Sequence, residues 1–91
     1  MLVVKILSHG APERYAVRRM VTAVQHDFQA VDPQLQISIS EIIDADQIGR
    51  YASVLVLPTL VINEKVVCSG RFPNREEIVR WLHQAAQESP V

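Results

Sequence analysis

The chain opens with a segment that is apolar at nearly every position. Residues 2–8, LVVKILS, are rich in β-branched side chains, which is typical of a strand that is covered on both faces of its sheet. Lys5 interrupts the run, and we expect its stem to pack on the sheet while its amine reaches out. Gly10 and Pro12 then end the strand, and proline is well suited to the first turn of a helix.

The next apolar positions recur at spacings of three and four, which predicts one long amphipathic helix. Its stripe consists of Val17, Met20, Val21, Val24, Phe28 and Val31. Asp32 and Pro33 end this helix.

Two weaker elements follow. Residues 35–41, LQISISE, alternate between apolar and polar side chains, which predicts a strand at an edge of the sheet with one less covered face. Asp44 is suited to cap a short helix that reaches about Tyr51. Gly49 weakens this helix because glycine has low helix propensity.

The second half of the chain predicts a hairpin. Pro58 cannot donate to a β ladder, so the third strand begins after it, with residues 59–62. Residues 63–65, NEK, form a tight turn, and residues 66–69 return as the fourth strand. Glutamate at position 64 suits a turn with positive φ poorly, so we expect a longer type of turn.

The last helix begins at a capping box formed by Asn74 and Glu77. Its buried stripe consists of Ile78, Trp81, Leu82 and Ala85. The order is therefore βαβαββα, an α/β fold in which a helical crossover makes the first two strands parallel. We expect one domain over residues 1–91, with a four-stranded mixed sheet, three flanking helices and a frayed tail at residues 86–91.

Composition and charge narrow the class of partner. The net charge of −1 gives no long-range attraction to nucleic acid or to a membrane surface. No apolar run approaches the ~20 residues that span a bilayer. The first residues lack a basic lead and a small-residue cleavage site, so we expect a strand there rather than a signal peptide.

Few side chains offer catalytic or metal chemistry. The single cysteine, Cys68, has no partner for an internal disulfide, which favours a reducing, cytoplasmic setting. No spacing of histidine, cysteine or acidic residues resembles a metal site, and the chain has no phosphate-binding loop and no nucleophile–base pair. We therefore expect no metal and no cofactor.

The stretch LPTLVINEKVVCSGRFPNREEIVRWL carries a proline before a strand, a hairpin, a glycine–arginine pair and a capped helix. Together with the element order, it resembles the thioredoxin-fold superfamily, and within it the small glutaredoxin-like thioredoxins of bacteria and archaea. The resemblance covers nearly the whole chain. It implies a thioredoxin-like βαβαββα fold in which Pro58 matches the family's cis-proline and Gly70 matches the glycine that closes the hairpin.

The resemblance also identifies a missing motif. The family's first turn reads Gly-Cys-Pro-x-Cys, whereas here it reads Gly10-Ala11-Pro12-Glu13-Arg14. The attacking cysteine aligns with Ala11 and the resolving cysteine with Arg14. Dithiol exchange requires both thiols, and a methyl group is not a nucleophile. We expect no dithiol oxidoreductase activity, and whether any other catalytic activity exists stays open.

The resemblance implies a binding groove at this turn, which would hold an extended peptide, or glutathione, by strand-like backbone pairing. Its residues are Gly10, Ala11, Pro12, Leu57, Pro58 and Gly70. Leu57 replaces the threonine that is common before the proline.

Two other groups of residues allow more than one interpretation. Cys68 is either a small buried hydrophobe or a reactive thiol in an electropositive environment near Arg14 and Arg71. Four arginines are expected near the N-terminus of the first helix. They either form a carboxylate- or phosphate-binding site or belong to a solvated charged surface. They are Arg14, Arg18, Arg71 and Arg75.

Three hypotheses follow for the function. The first is a redox-inactive thioredoxin-like domain that binds a protein or peptide partner in the groove. The second is a monothiol redox protein that forms a mixed disulfide with glutathione or a partner through Cys68. The third is a structural subunit that dimerises by pairing an edge strand, residues 35–41 or 65–69.

Overall fold

The computed structural model describes residues 2–8, 10–51 and 58–88, except for the side chains at positions 11 and 45. Within these ranges the predicted order of elements is confirmed. The elements are β1 (Leu2–Leu7), α1 (Ala11–Val31), β2 (Ile37–Ile42), α2 (Ala45–Gly49), β3 (Thr59–Ile62), β4 (Lys65–Ser69) and α3 (Arg75–Glu88). None of the helices in these ranges has the length and apolarity that crossing a membrane requires.

The strands form one four-stranded mixed sheet with the order β2-β1-β3-β4. β1 and β2 run parallel, as the helical crossover predicted, whereas β3 is antiparallel to both β1 and β4. β2 lies at one edge of the sheet, which confirms the prediction from its alternating pattern.

The register brings the ends of the four strands into one row. Leu7 lies opposite both Ile42 and Thr59, and Thr59 lies opposite Ser69. The residues next to this row are Ser8, Ile43, Pro58 and Gly70, and we call them the sheet end. Because α1 begins three residues after Ser8, the first turn of this helix belongs to the same end of the molecule.

The main core lies between one face of the sheet and the helices α1 and α3. Its largest fully buried side chains are Leu2, Val4, Ile6, Val21, Val24, Leu60, Ile78 and Leu82. Fully burying one such side chain contributes about 1.5–3 kcal/mol, so this cluster supplies most of the driving force for folding. The opposite face carries a smaller cluster beside α2 that contains Leu7, Ile48 and Val61.

The turn between β3 and β4 differs from our expectation of a longer type. It has two residues, Asn63 with φ 50° and Glu64 with φ 66°, so both occupy the left-handed region. Asparagine suits this region, and Asn63 is also held to β1, since it donates its N–H to Val3 O at 2.8 Å and accepts from Val3 N at 2.9 Å. Glu64 adopts the conformation without the freedom of glycine.

The capping box of α3 is confirmed. Asn74 N donates to Glu77 Oε1 at 3.1 Å, and Glu77 N donates to Asn74 Oδ1 at 2.8 Å. The expected fraying of residues 86–91 needs correction at its start, because α3 continues through Glu88. Lys65 Nζ lies 3.0 Å from Glu88 Oε2, which ties this last turn to β4. Residues 89–91 lie outside the described ranges.

Candidate functional site

The first turn of α1 occupies the place that the resemblance assigns to the family's active-site turn. Gly10 is the N-cap in extended conformation, and proline occupies the start of the helix. The Gly10 N–H donates to the Ser8 hydroxyl at 3.2 Å, and Arg14 N donates to Gly10 O at 3.1 Å. Ser8 is buried, so this turn is fixed to the end of β1. Pro12 is exposed beside it.

The carboxylate of Glu13 folds over this turn. A Cβ atom added to Gly10 would lie 2.0 Å from Glu13 Oε2, so the acidic group rests against the Gly10 α carbon. The N-terminus of a helix carries a partial positive charge, which favours a carboxylate at this place. The carboxylate of Glu13 therefore offsets the partial positive charge at the N-terminus of α1, beside position 11.

Arg14, at the position that aligns with the resolving cysteine, connects three elements. Its Nη1 donates to Ser8 O at 3.2 Å, and its Nε lies 3.4 Å from Glu41 Oε1 at the end of β2. Arg18 donates to the other oxygen of Glu41 at 2.9 Å. Only 14% of the Arg14 side chain is exposed. Position 14 therefore holds α1 against β1 and β2.

The four arginines do not gather into one anion site, so that interpretation is wrong. Arg14 and Arg18 share Glu41, whereas Arg71 pairs with Glu77 and Arg75 pairs with Asp27. A second arginine–carboxylate hydrogen bond, from Arg71 Nη1 to Glu77 Oε1, measures 2.7 Å.

The Arg71–Glu77 pair changes the acidity of its carboxyl group. The hydrogen bonds from Arg71, followed by the bond from Asn74 N, lower the pKa of Glu77 to about 2. Each arginine that sequence reasoning placed at this end thus lies against a carboxylate of the chain itself.

Cys68 belongs to the core. It lies opposite Leu60 in the β3–β4 pair, is 6% exposed, and donates its S–H to Arg71 O at 3.5 Å. Burial raises the pKa of this thiol, and the charge of Arg71 opposes that shift only in part. A buried thiol that stays protonated is a poor nucleophile. Of the two interpretations of Cys68, the structure agrees with the small buried hydrophobe.

Pro58 and Gly70 are joined directly. The Gly70 N–H donates to Pro58 O at 3.0 Å, and Gly70 has a φ of 80°, which glycine adopts without strain. Pro58 is buried, whereas Gly70 is exposed. Leu57, the other predicted groove residue on this side, lies outside the described residues, and at Ala11 only the backbone is described.

Sequence reasoning missed a set of exposed apolar side chains at this end of the molecule. Ile43 directly follows β2, and Phe72 comes two residues after Gly70; 58% and 56% of these residues are exposed. Tyr15, in the first turns of α1, is also half-exposed. The sequence indicated their exposure only indirectly. Tyr15 does not belong to the apolar stripe of α1, and Phe72 lies outside any predicted element, between the hairpin and the capping box.

Metal chemistry finds no support in this arrangement. Within residues 2–8, 10–51 and 58–88, no group of three or more histidine, cysteine or acidic side chains is placed to hold an ion.

The fold, the proline at the entry of β3 and the glycine that closes the hairpin define a thioredoxin-like α/β domain. The sequence model of the thioredoxin domain family matches residues 2–83, so the chain belongs to this family. Among curated proteins the chain has no match.

Proposed function

We propose that this thioredoxin domain is a redox-inactive binding module that holds an extended segment of a partner protein at the sheet end. The observation that carries the proposal is the make-up of that end. It offers the exposed apolar side chains of Ile43 and Phe72 after the two edge strands, at the end where α1 begins, and the chain's one thiol lies in the core.

The absence of redox chemistry follows from residue types. Positions 11 and 14 carry alanine and arginine, and the guanidinium of Arg14 is engaged by Ser8 O and Glu41. Thiol–disulfide exchange begins with a thiolate that reaches a disulfide sulfur. A buried Cys68 with a raised pKa meets neither condition. Its lone, unoxidised thiol agrees with a cytoplasmic location, which is part of the proposal.

The binding role rests on the exposed side chains. Ile43 follows β2 and Phe72 lies three residues after β4, the two edge strands, and Pro12 and Gly70 are also exposed. Aromatic side chains bury a large area on association and are enriched in interfaces. The resemblance to the family implies that an extended segment bound across this end would pair with the backbone around position 57. We expect such a segment also to cover Phe72.

The test selects binders from a displayed library of random peptides and compares two variants. We expect Phe72→Ser to weaken the selected peptides about tenfold or more, since a buried aromatic anchor dominates such interfaces. Val31→Ser is the matched control, because Val31 is 88% exposed at the opposite end of α1. Equal loss in both variants, or no change with Phe72→Ser, contradicts the proposed site.

A second experiment separates this proposal from monothiol chemistry at Cys68. We expect insulin reduction at the background rate and slow alkylation of Cys68 until the protein is unfolded. Rapid alkylation of the native protein, or a stable mixed disulfide with glutathione, would favour the redox alternative.

A structural dimer is the second candidate, and one observation favours it. β2 and β4 form the two edges of the sheet, so each has a row of backbone groups without a strand beside it. Light scattering at several concentrations tests this possibility. A mass that stays at the monomer value throughout would exclude pairing through these edges.

A further inference from the structure

The second face of the sheet carries a pocket that the proposed function does not use. It has a volume of about 370 Å³ and lies beside α2. α2 has only five residues, so among the described residues it covers part of this face. The pocket is lined by Lys5, Ile42, Gln47, Arg50, Tyr51 and Glu64.

Lys5 supplies a fixed positive charge in this pocket. Its Nζ donates to the Tyr51 hydroxyl at 2.7 Å and to Glu64 Oε1 at 2.6 Å, and it lies 5.4 Å from the centre of the Tyr51 ring. An ammonium group has three N–H bonds, so one remains for a ligand, whereas the Tyr51 hydroxyl also bonds to Glu64. The bonds to Glu64 and then Tyr51 raise the pKa of Lys5, which keeps the amine protonated.

The helix side of the pocket adds further donors. Gln47 and Arg50 stand three residues apart, so they lie on the same side of α2. Both are exposed, and the Arg50 guanidinium has no hydrogen bond or ion pair within the described residues. With Lys5 and Arg50 positive and Glu64 negative, the pocket carries one net positive charge.

Glu64 shows that this arrangement is maintained against a local preference. Its φ of 66° lies where glycine is favoured, yet the chain places there the carboxylate that orients Lys5. Strained residues of this kind concentrate at functional sites. The positive φ of Glu64 and the exposed cation of Arg50 are independent observations that point to the same pocket.

We propose that this pocket binds a small organic anion bearing a carboxylate or a phosphate group. Arg50 and Lys5 donate to the anionic group, since charge-assisted bonds of this kind are the strongest that the lining offers. Gln47 and Glu64 can then bind polar groups on the remainder of the ligand. The volume falls within the usual range of small-molecule sites.

The test is an amide NMR titration of the full chain with three probes at constant ionic strength. Succinate and glycerol 3-phosphate distinguish a carboxylate from a phosphate ligand, and glycerol is the uncharged control. We expect saturable shifts at Lys5, Gln47 and Tyr51 with one of the anions and none with glycerol. Absence of shifts with both anions up to roughly 10 mM would overturn the proposal, because millimolar affinity is the lower limit of useful recognition.

Two exposed variants complete the test. Arg50→Gln should weaken the anion about tenfold, which is the loss expected for one charge-assisted hydrogen bond. Arg19→Gln removes an exposed arginine of α1 and should leave the affinity unchanged. Equal effects of the two variants would show only diffuse attraction to positive charge and would overturn the proposal. Phe72→Ser should leave the titration unaffected, so this result is independent of the peptide-binding site.

Discussion

Arg14 Nε lies 3.4 Å from Glu41 Oε1, and this contact joins the first turn of α1 to the end of the parallel strand β2. The arginine stands where a related dithiol protein has its resolving cysteine. Glu41 also accepts from Arg18 at 2.9 Å, so one carboxylate serves two cations. In this chain the residue at position 14 makes structural contacts between elements, and these contacts have measurable consequences.

Glu41→Gln should destabilise the protein by about 1–2 kcal/mol, because it removes the negative charge that Arg14 and Arg18 share. The measurement is urea unfolding at neutral pH. Glu88→Gln is the control, since the Lys65–Glu88 pair is exposed and such pairs contribute at most about 1 kcal/mol. Similar losses in the two variants would contradict the structural role of Glu41.

Ala11→Cys tests whether the α1 N-terminus still activates sulfur. A thiol at this helix end should have a pKa below the usual ~8.5, so we expect alkylation much faster than that of the buried Cys68 in the parent protein. Adding Glu13→Gln should lower the pKa further, because a nearby carboxylate disfavours the thiolate. The pH dependence of iodoacetamide labelling measures both effects. A rate equal to that of the parent, or slower labelling after Glu13→Gln, would show that the helix end has lost this property.

The pKa of Glu77 gives the stability a definite dependence on pH. Its folded value of about 2 lies below the ordinary value of 4.5, so the Arg71–Glu77 pair stabilises the protein above the unfolded pKa. That contribution is lost as the pH falls from the unfolded to the folded value. Thermal unfolding between about pH 5 and pH 2 should therefore show a smaller decrease for Glu77→Gln than for the parent. Glu76→Gln, in the same helical turn, should keep the steep decrease.

The elements that sequence reasoning located well are those with a dense local signal. The apolar stripe of α1, the Asn74–Glu77 capping box and the proline before β3 each depend on residues a few positions apart. The parallel pairing of β1 and β2 also followed, because a helical connection constrains it.

The contacts that sequence reasoning missed depend on register between distant segments. Nothing local to Arg14 indicates Glu41, since their approach requires β2 to end level with β1. The anion site was one of two interpretations of the four arginines, and the sequence could not decide between them because each carboxylate partner lies on a different element. The turn at Glu64 was missed for the opposite reason: local preference disfavours glutamate at a positive φ, yet the structure places it there in contact with Lys5.

Glu64→Gly separates the strain of that turn from the ion pair that accompanies it. Glycine adopts a φ of 66° freely, whereas other residues lose about 1–2 kcal/mol there. The exposed pair with Lys5 contributes at most about 1 kcal/mol. We therefore expect Glu64→Gly to raise the free energy of unfolding in urea by about 1 kcal/mol, and the loss of the ion pair with Lys5 reduces this gain. Glu64→Gln keeps the strain and removes the charge, so it should be slightly less stable than the parent. If glycine destabilises as much as glutamine, the Lys5 contact outweighs the strain, and the turn is held by its carboxylate for stability rather than for a ligand.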